Sequence, residues 1–253
     1  MRRSLYFFLD LLLLRTWHIK KALRKLRPEL PDNAEILDAG SGLGQHIWRM
    51  TRMNRNWKIT GVDIDKSQTD DCTEFFRKTG FSDRITFRVA DLTVFNEPDK
   101  YNLILSVDVM EHISDDESVF RNFCSSLSEK GILLISTPSD KGGSGVHGRD
   151  ERSFIGEHVR NGYSIPEISQ KLTAAGFSNT EAKYTYGIPG NISWLLSMKY
   201  PVQLLNRSSV FAIFLPLYYL IILPVALILN IIDLRLNHKT GTGLIVTSRK
   251  QIS

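Results

Sequence analysis

Cysteine is scarce in this chain: Cys72 and Cys124 are the only two among 253 residues, far apart and without metal-type spacing. That pattern excludes a disulfide scaffold and predicts two reduced thiols in a cytosolic compartment. A net positive charge is missing from most of the chain. Residues 1–27 hold eight arginines and lysines against Asp10 alone, a net of +7; the whole chain is +5, so the rest carries about −2. A mildly acidic body excludes a nucleic-acid-binding domain face. Charge is absent altogether from Val210 to Ile232, 23 residues long enough to span a bilayer. There is no internal repeat and no low-complexity tract. The length allows one large α/β domain and an accessory piece.

The basic residues of the N-terminal arm, 1–30, are mixed with Leu5–Leu14, "LYFFLDLLLL". Asp10 interrupts that apolar run and no small-residue cleavage site follows, which argues against a signal peptide. The run is too short to span. It predicts an amphipathic helix lying in a membrane interface, with lysines and arginines on anionic lipid; the alternative is a helix packed on the body's own core.

From Pro31 onward, strands and helices alternate. "EILDA" ends at Ala39, "WKITGVDID" at Asp63, "RITFRVAD" near Asp91, and "YNLILSVD" at Asp108; "ILLISTP" is closed by Pro138. Helices are expected at Gln45–Met53, Ser67–Thr79 and Asp115–Ser128, the last stopped by Lys130-Gly131. Ser164 and Glu167 form a capping box for a further helix ending before Gly176. "NTEAKYTYG" and "TGLIVTSR" supply a sixth and a seventh strand. Such alternation means a mostly parallel sheet with helices on both faces, an α/β fold whose ligands lie beyond the carboxyl ends of the strands.

The polar residues at those ends are therefore the candidates. Asp38 leads into the loop Gly40-Ser41-Gly42-Leu43-Gly44, which lacks the third glycine spacing of a dinucleotide fingerprint because Gln45 stands there. Asp63 and Ile64 follow strand two, where a carboxylate can accept both hydroxyls of a ribose. Asp91 and Leu92 follow strand three, suited to an adenine, and Asp108 follows strand four.

With "ILDAGSGLG", "VDID", "VADL" and "YNLILSVDVMEHI", the chain resembles the class I S-adenosylmethionine-dependent methyltransferases from about Ala34 to Gly190, plus the last strand. "VDVMEHI", "ISTPS" and "GEHVRNGYSIPEI" are most similar to the methyltransferases of ubiquinone biosynthesis. Asn102 and "SEKGIL" depart from the family's usual residues, outside the cofactor pocket. The resemblance implies a Rossmann-like sheet of seven strands, parallel except the last, and S-adenosylmethionine as cofactor. It implies in-line methyl transfer, with His112 as the candidate base or as a histidine that only shapes the pocket. Asp108, Glu111 and His112 match an acid-x-x-Glu-His run that holds a divalent metal in some quinone O-methyltransferases, but "EH" is also common in metal-independent relatives; a metal-independent reaction is expected. His147 and His158 read as loop or lid residues.

In that fold strand seven is antiparallel and lies between strands five and six. The chain then divides into the arm (1–30), a cofactor-binding core (31–190), an insertion (191–240) and the last core strand (241–253). Both ends of the insertion emerge on the cofactor side, so a single membrane span would strand the last strand on the far side. A bent, re-entrant or in-plane helical hairpin is expected, broken by Pro216 and Pro224, with Trp194, Tyr200, Tyr218 and Tyr219 at the interface. A buried helical subdomain or a dimer interface is the alternative. The functional expectation is a monotopic enzyme on the cytoplasmic face of a membrane. Its acceptor would be lipophilic: a prenylated quinone precursor, another isoprenoid or a lipid head group. A water-soluble acceptor, or a catalytically silent S-adenosylmethionine-binding scaffold, are the rival readings.

Overall fold

The structure, a computed structural model, describes residues 2–142 and 159–251; His147 and His158 lie outside them. Seven strands form one sheet in the order β3-β2-β1-β4-β5-β7-β6. They are β1 (Glu35–Ala39), β2 (Lys58–Asp63), β3 (Ile85–Val89), β4 (Tyr101–Val107), β5 (Leu127–Pro138), β6 (Phe177–Thr185) and β7 (Gly243–Lys250). β7 runs antiparallel to both its neighbours and every other pairing is parallel, the expected Rossmann-like arrangement.

Central strands are buried on both faces, and alternation sends neighbouring residues to opposite cores. Leu37, Ile104, Leu133 and Ile135 meet Phe120 and Phe123 of α5 (Asp116–Ser126) and Ile168 and Leu172 of α6 (Ile165–Ala174). Ile36, Leu103, Leu105 and Leu134 meet the second core, with Ile47 and Trp48 of α3 (Gln45–Met50) and Phe76 of α4 (Lys66–Lys78). The capping box at Ser164 and Glu167 is present, and Gly176 takes φ +96 just past α6. The fourth connection differs from expectation. α5 ends at Ser126, and β5 begins at Leu127; Lys130-Gly131 lie in a register shift against β4, with Lys130 at φ +61, and do not stop a helix.

The N-terminal arm is two helices, α1 (Arg2–Leu12) and α2 (Leu14–Leu26). Tyr6, Ile19, Leu23 and Leu26 are buried in the second core. For α2 the helix-on-core alternative is what forms. The reason is geometric: the face of β1, β4 and β5 beside α3 needs a cover, and this stripe supplies it. The outer face of α1 stays open, with Leu5, Phe7 and Phe8 exposed.

β6 ends at Thr185, paired with Gly243 of β7, so the intervening helices leave and return at one place. The first leg is α7 (Ile188–Trp194), a π-helical segment (Leu195–Lys199) and α8 (Tyr200–Arg207). The second is a 3-10 segment (Ser209–Phe214) and α9 (Leu215–Arg235). The legs are antiparallel: Ser193 Oγ donates to Ala226 O at 3.1 Å, and Tyr219 OH to Ser197 O at 2.7 Å. The first leg thus partners the second although its sequence is polar, because Ser193 and Ser197 turn inward and bond backbone. Tyr218 and Tyr219 tie the legs through their hydroxyls. Pro216 sits in the first turn of α9, where no helical N–H is lost; Pro224 lies inside the helix.

Candidate active site

The carboxyl ends of β1, β2, β3 and β4 surround a cavity of about 610 Å³. Gly40, Ser41, Gly42, Asp63, Ile64, Asp91, Leu92, Asp108 and His112 line it. Asp38 and Gly44 stand behind this lining. Asp38 is 1% exposed at the end of β1, and Gly44 takes φ +77 where a Cβ would meet Cys72 and Phe76 at 3.2 Å. Both shape the loop from below.

The loop is held against β2. Gly40 N–H and Ser41 N–H donate to Val62 O, and Gly42 N–H donates to Asp63 Oδ2 at 2.7 Å. Asp63 Oδ1 accepts from Asp65 N–H at 2.9 Å. Each oxygen keeps a further lone pair for a ligand hydroxyl. At Gly42, φ is +46 and an added Cβ would meet only Gln68, so the backbone faces open cavity. Asp91 is exposed at the rim, where its carboxylate accepts from Thr93 N–H and Oγ. Ile64, 73% exposed, adds an apolar side chain to the lining.

Burial sets the local charges. Asp38 has its carboxyl pushed up to about 8, by burial first and then by the neighbouring Asp63. His46, buried against the cavity, is pushed down to about 3 by burial and by Arg15 and Arg49, so its ring is neutral. Burial also raises Glu111, whose carboxylate accepts from Thr137 Oγ.

A donor built from a nucleoside and an amino acid needs a glycine cradle, a hydroxyl acceptor and polar groups without protein partners. All three are present: Ser41 on the lining has a buried Oγ without a partner, and so does the Oδ2 of Asp38 behind it. These residues fit S-adenosylmethionine.

Sequence reading missed the roof. Leu9, Leu13 and Arg15 of the arm close over the cavity, and Arg15 forms an ion pair with Asp108. Nothing in the local pattern announces this, because the contact joins residues about 90 positions apart. Asp108, Glu111 and His112 do not gather as metal ligands: Asp108 faces Arg15, Glu111 faces Thr137, and no cluster suited to a metal occurs among the described residues.

A second cavity, about 360 Å³, adjoins the first. Arg15, Asp108 and His112 line both. Its far wall is Asn191, Trp194, Leu195 and Lys199 of the first hairpin leg, opposite Thr137 and Pro138 of β5.

The family model described as "Methyltransferase domain" matches residues 30–183. A phosphoethanolamine N-methyltransferase of Triticum aestivum is 27% identical over 159 residues, 61% of this chain and 30% of that enzyme. A ubiquinone biosynthesis O-methyltransferase of Pelagibacter ubique is 25% identical over 105 residues, 42% of each chain. The matches thus span less than half the length of these two curated relatives. Phosphoethanolamine N-methyltransferase 2 of Haemonchus contortus, solved with S-adenosyl-L-methionine, shares the fold with a TM-score of 0.63 at 18% identity, over 93% of this chain and 53% of that one. With the family model covering most of the chain and a cradle that fits the methyl donor, this protein belongs to the methyltransferase-domain family of S-adenosylmethionine-dependent enzymes.

Proposed function

We propose that this methyltransferase acts on a lipophilic acceptor reached from the cytoplasmic face of a membrane, into which the hairpin and the outer face of α1 insert. One observation carries the reading: the second cavity shares Arg15, Asp108 and His112 with the donor cavity and is walled by the hairpin itself. The segment Ser209–Arg235 is long and apolar enough to cross a membrane, and only 6% of its most apolar stretch is buried. That exposure argues against a helix folded into the chain's own core and leaves membrane or a second copy as its cover. α1 packs beside α9, so Phe7 and Phe8 extend the same apolar surface.

S-adenosylmethionine, when bound, supplies a methyl group on a sulfonium, a good leaving group from the start. The chain's part is alignment, exclusion of water and acceptance of a proton. Asp63 and the glycine loop orient the donor. The roof of Leu9, Leu13 and Arg15 keeps water out. His112, on the wall common to both cavities, takes the proton of an acceptor hydroxyl. Buried Glu111 and Thr137 brace that wall beneath it. An acceptor entering from the apolar phase avoids about 0.8 kcal/mol for each CH₂ otherwise exposed to water. A prenylated quinone precursor suits this entrance, and one curated relative serves ubiquinone biosynthesis.

The test is methyl transfer from labelled donor to extracted membranes, with mass analysis of the labelled product. A companion variant replaces 191–240 with a short polar hairpin and carries an added lipid anchor. We expect normal donor binding and loss of turnover on the embedded acceptor. Wild-type turnover by the re-anchored variant would overturn the entrance. A labelled water-soluble product with no lipid product would establish the rival acceptor class, and donor binding without S-adenosylhomocysteine formation the silent scaffold.

A further inference from the structure

Residues 1–27 of the arm carry a net charge of +7, yet their first cations are engaged by the body. Arg2 reaches Asp71 and the ring of Phe75, Arg3 lies over Trp48, and Arg15 pairs with Asp108. The cations of α2 beyond Arg15 have a different surrounding. Lys20, Lys21, Arg24 and Lys25 follow one another where α9 ends, and Lys21 Nζ donates to Leu234 O at 2.6 Å. At that level a groove of about 560 Å³ lies between α2, the edge strand β6 and the residues after α9. Lys21, Lys25 and Lys183 line it against one carboxylate, Glu181. Its floor is apolar, formed by Ala22, Leu234 and Leu236 among others. The edge nearest the hairpin is fixed: Asp233, fully buried, accepts from Gly190 N–H and holds His18 and His238 on its two oxygens.

Resting on the membrane reading above, we infer that this groove seats the phosphate of an anionic phospholipid. The charge has the right sign: Lys25 pairs with Glu181 at 3.5 Å, and Lys21 and Lys183 remain without a carboxylate in the groove, a net positive surplus. Its position is right as well. α9 runs for 21 residues, about 30 Å at 1.5 Å per residue, without a charge before Asp233, so the lysines stand where the apolar leg ends and head groups begin. The apolar floor continues from the groove towards α9 and can take the upper part of an acyl chain. Capping the carboxyl end of α9 accounts for Lys21, and the ion pair with Glu181 for Lys25, but neither accounts for Lys183. A seated phospholipid would fix how deep the hairpin enters, and so the height of the acceptor cavity above the membrane.

The experiment uses the full chain with vesicles of phosphatidylcholine, alone or mixed with phosphatidylglycerol, at low salt. Each lysine near an anionic surface contributes about fivefold to binding. The K21Q/K25Q/K183Q variant should lose about a hundredfold in affinity for the anionic vesicles and retain wild-type affinity for neutral ones. The K25Q/K183Q variant, which keeps the Lys21 bond to α9, should lose about twentyfivefold. A control of equal charge change at the opposite end of the sheet, R55Q/K58Q/K78Q, should change little. Donor affinity by calorimetry should be the same in all four proteins. An unaltered anionic preference in K21Q/K25Q/K183Q, or an equal loss in the control, overturns the groove as the site. Wild-type protein that binds neither vesicle overturns the membrane reading itself, whereas binding to both without preference overturns only the groove.

Discussion

Asp63 Oδ2 accepts the Gly42 backbone N–H at 2.7 Å, so the carboxylate that ends β2 also holds the loop that ends β1. One side chain therefore shapes the loop and keeps further lone pairs open to a ligand in the cavity. Asp63→Ala should weaken S-adenosylmethionine binding by about 1.5–3 kcal/mol, the scale for hydrogen bonds to a charged group. Gly42→Val should abolish binding without unfolding the chain, since its side chain meets open cavity; the positive φ adds about 1–2 kcal/mol of strain. Calorimetry reads both, and wild-type affinity in either would remove this loop from the donor site.

Asp38 titrates against the fold. Its carboxyl is pushed up from 3.8 to about 8, mainly by burial. Between those values the unfolded chain releases a proton that the native chain keeps, so the contribution to stability is full below pH 3.8, declines with rising pH and levels off above about 8. Asp38→Asn removes that slope. Its stability relative to wild type should rise across this window, read from urea midpoints at a series of pH values. Parallel curves would mean that Asp38 is ionised in the native state.

His112 lies on the wall between the two cavities. As proton acceptor it contributes about 10²–10⁴-fold. His112→Gln should lower kcat by that factor and leave donor affinity unchanged. A fall of less than tenfold would reduce it to a residue that shapes the pocket.

The two faces of the arm separate stability from attachment. Leu23 is fully buried, whereas Phe7 and Phe8 are 63% and 55% exposed. Leu23→Ala should cost about 2–5 kcal/mol of stability. Phe7→Ser with Phe8→Ser should leave the denaturation midpoint nearly unchanged and weaken binding to neutral vesicles. Unchanged vesicle binding would exclude α1 from the docking surface. Removing the whole arm is a poorer test, because it also takes the roof from the donor cavity and Ile19 and Leu23 from the core.

Much of the fold was legible because its causes are local. Short apolar runs such as Glu35–Ala39 and Lys58–Asp63 are closed by Gly40 and by Asp63 itself, and the strands form at those residues. The donor cradle was legible for the same reason: in a parallel sheet the residues just past the strands must meet at one edge, so Gly40, Asp63, Asp91 and Asp108 are gathered by the topology. Even the return of the hairpin to its starting point followed from connectivity, and Thr185 does pair with Gly243.

What the sequence by itself determined, then, were the order of elements, the family and the strand-end residues of the donor site, because periodicity and turn chemistry act within a few residues. Tertiary structure alone decided the rest. It set α2 on the sheet, brought Arg15 to Asp108, turned Ser193 and Ser197 towards α9, and placed Lys183 beside the lysines of α2. Each of these depends on which amphipathic face finds an uncovered apolar surface. That choice is made by burial across long stretches of chain, and no local pattern encodes it.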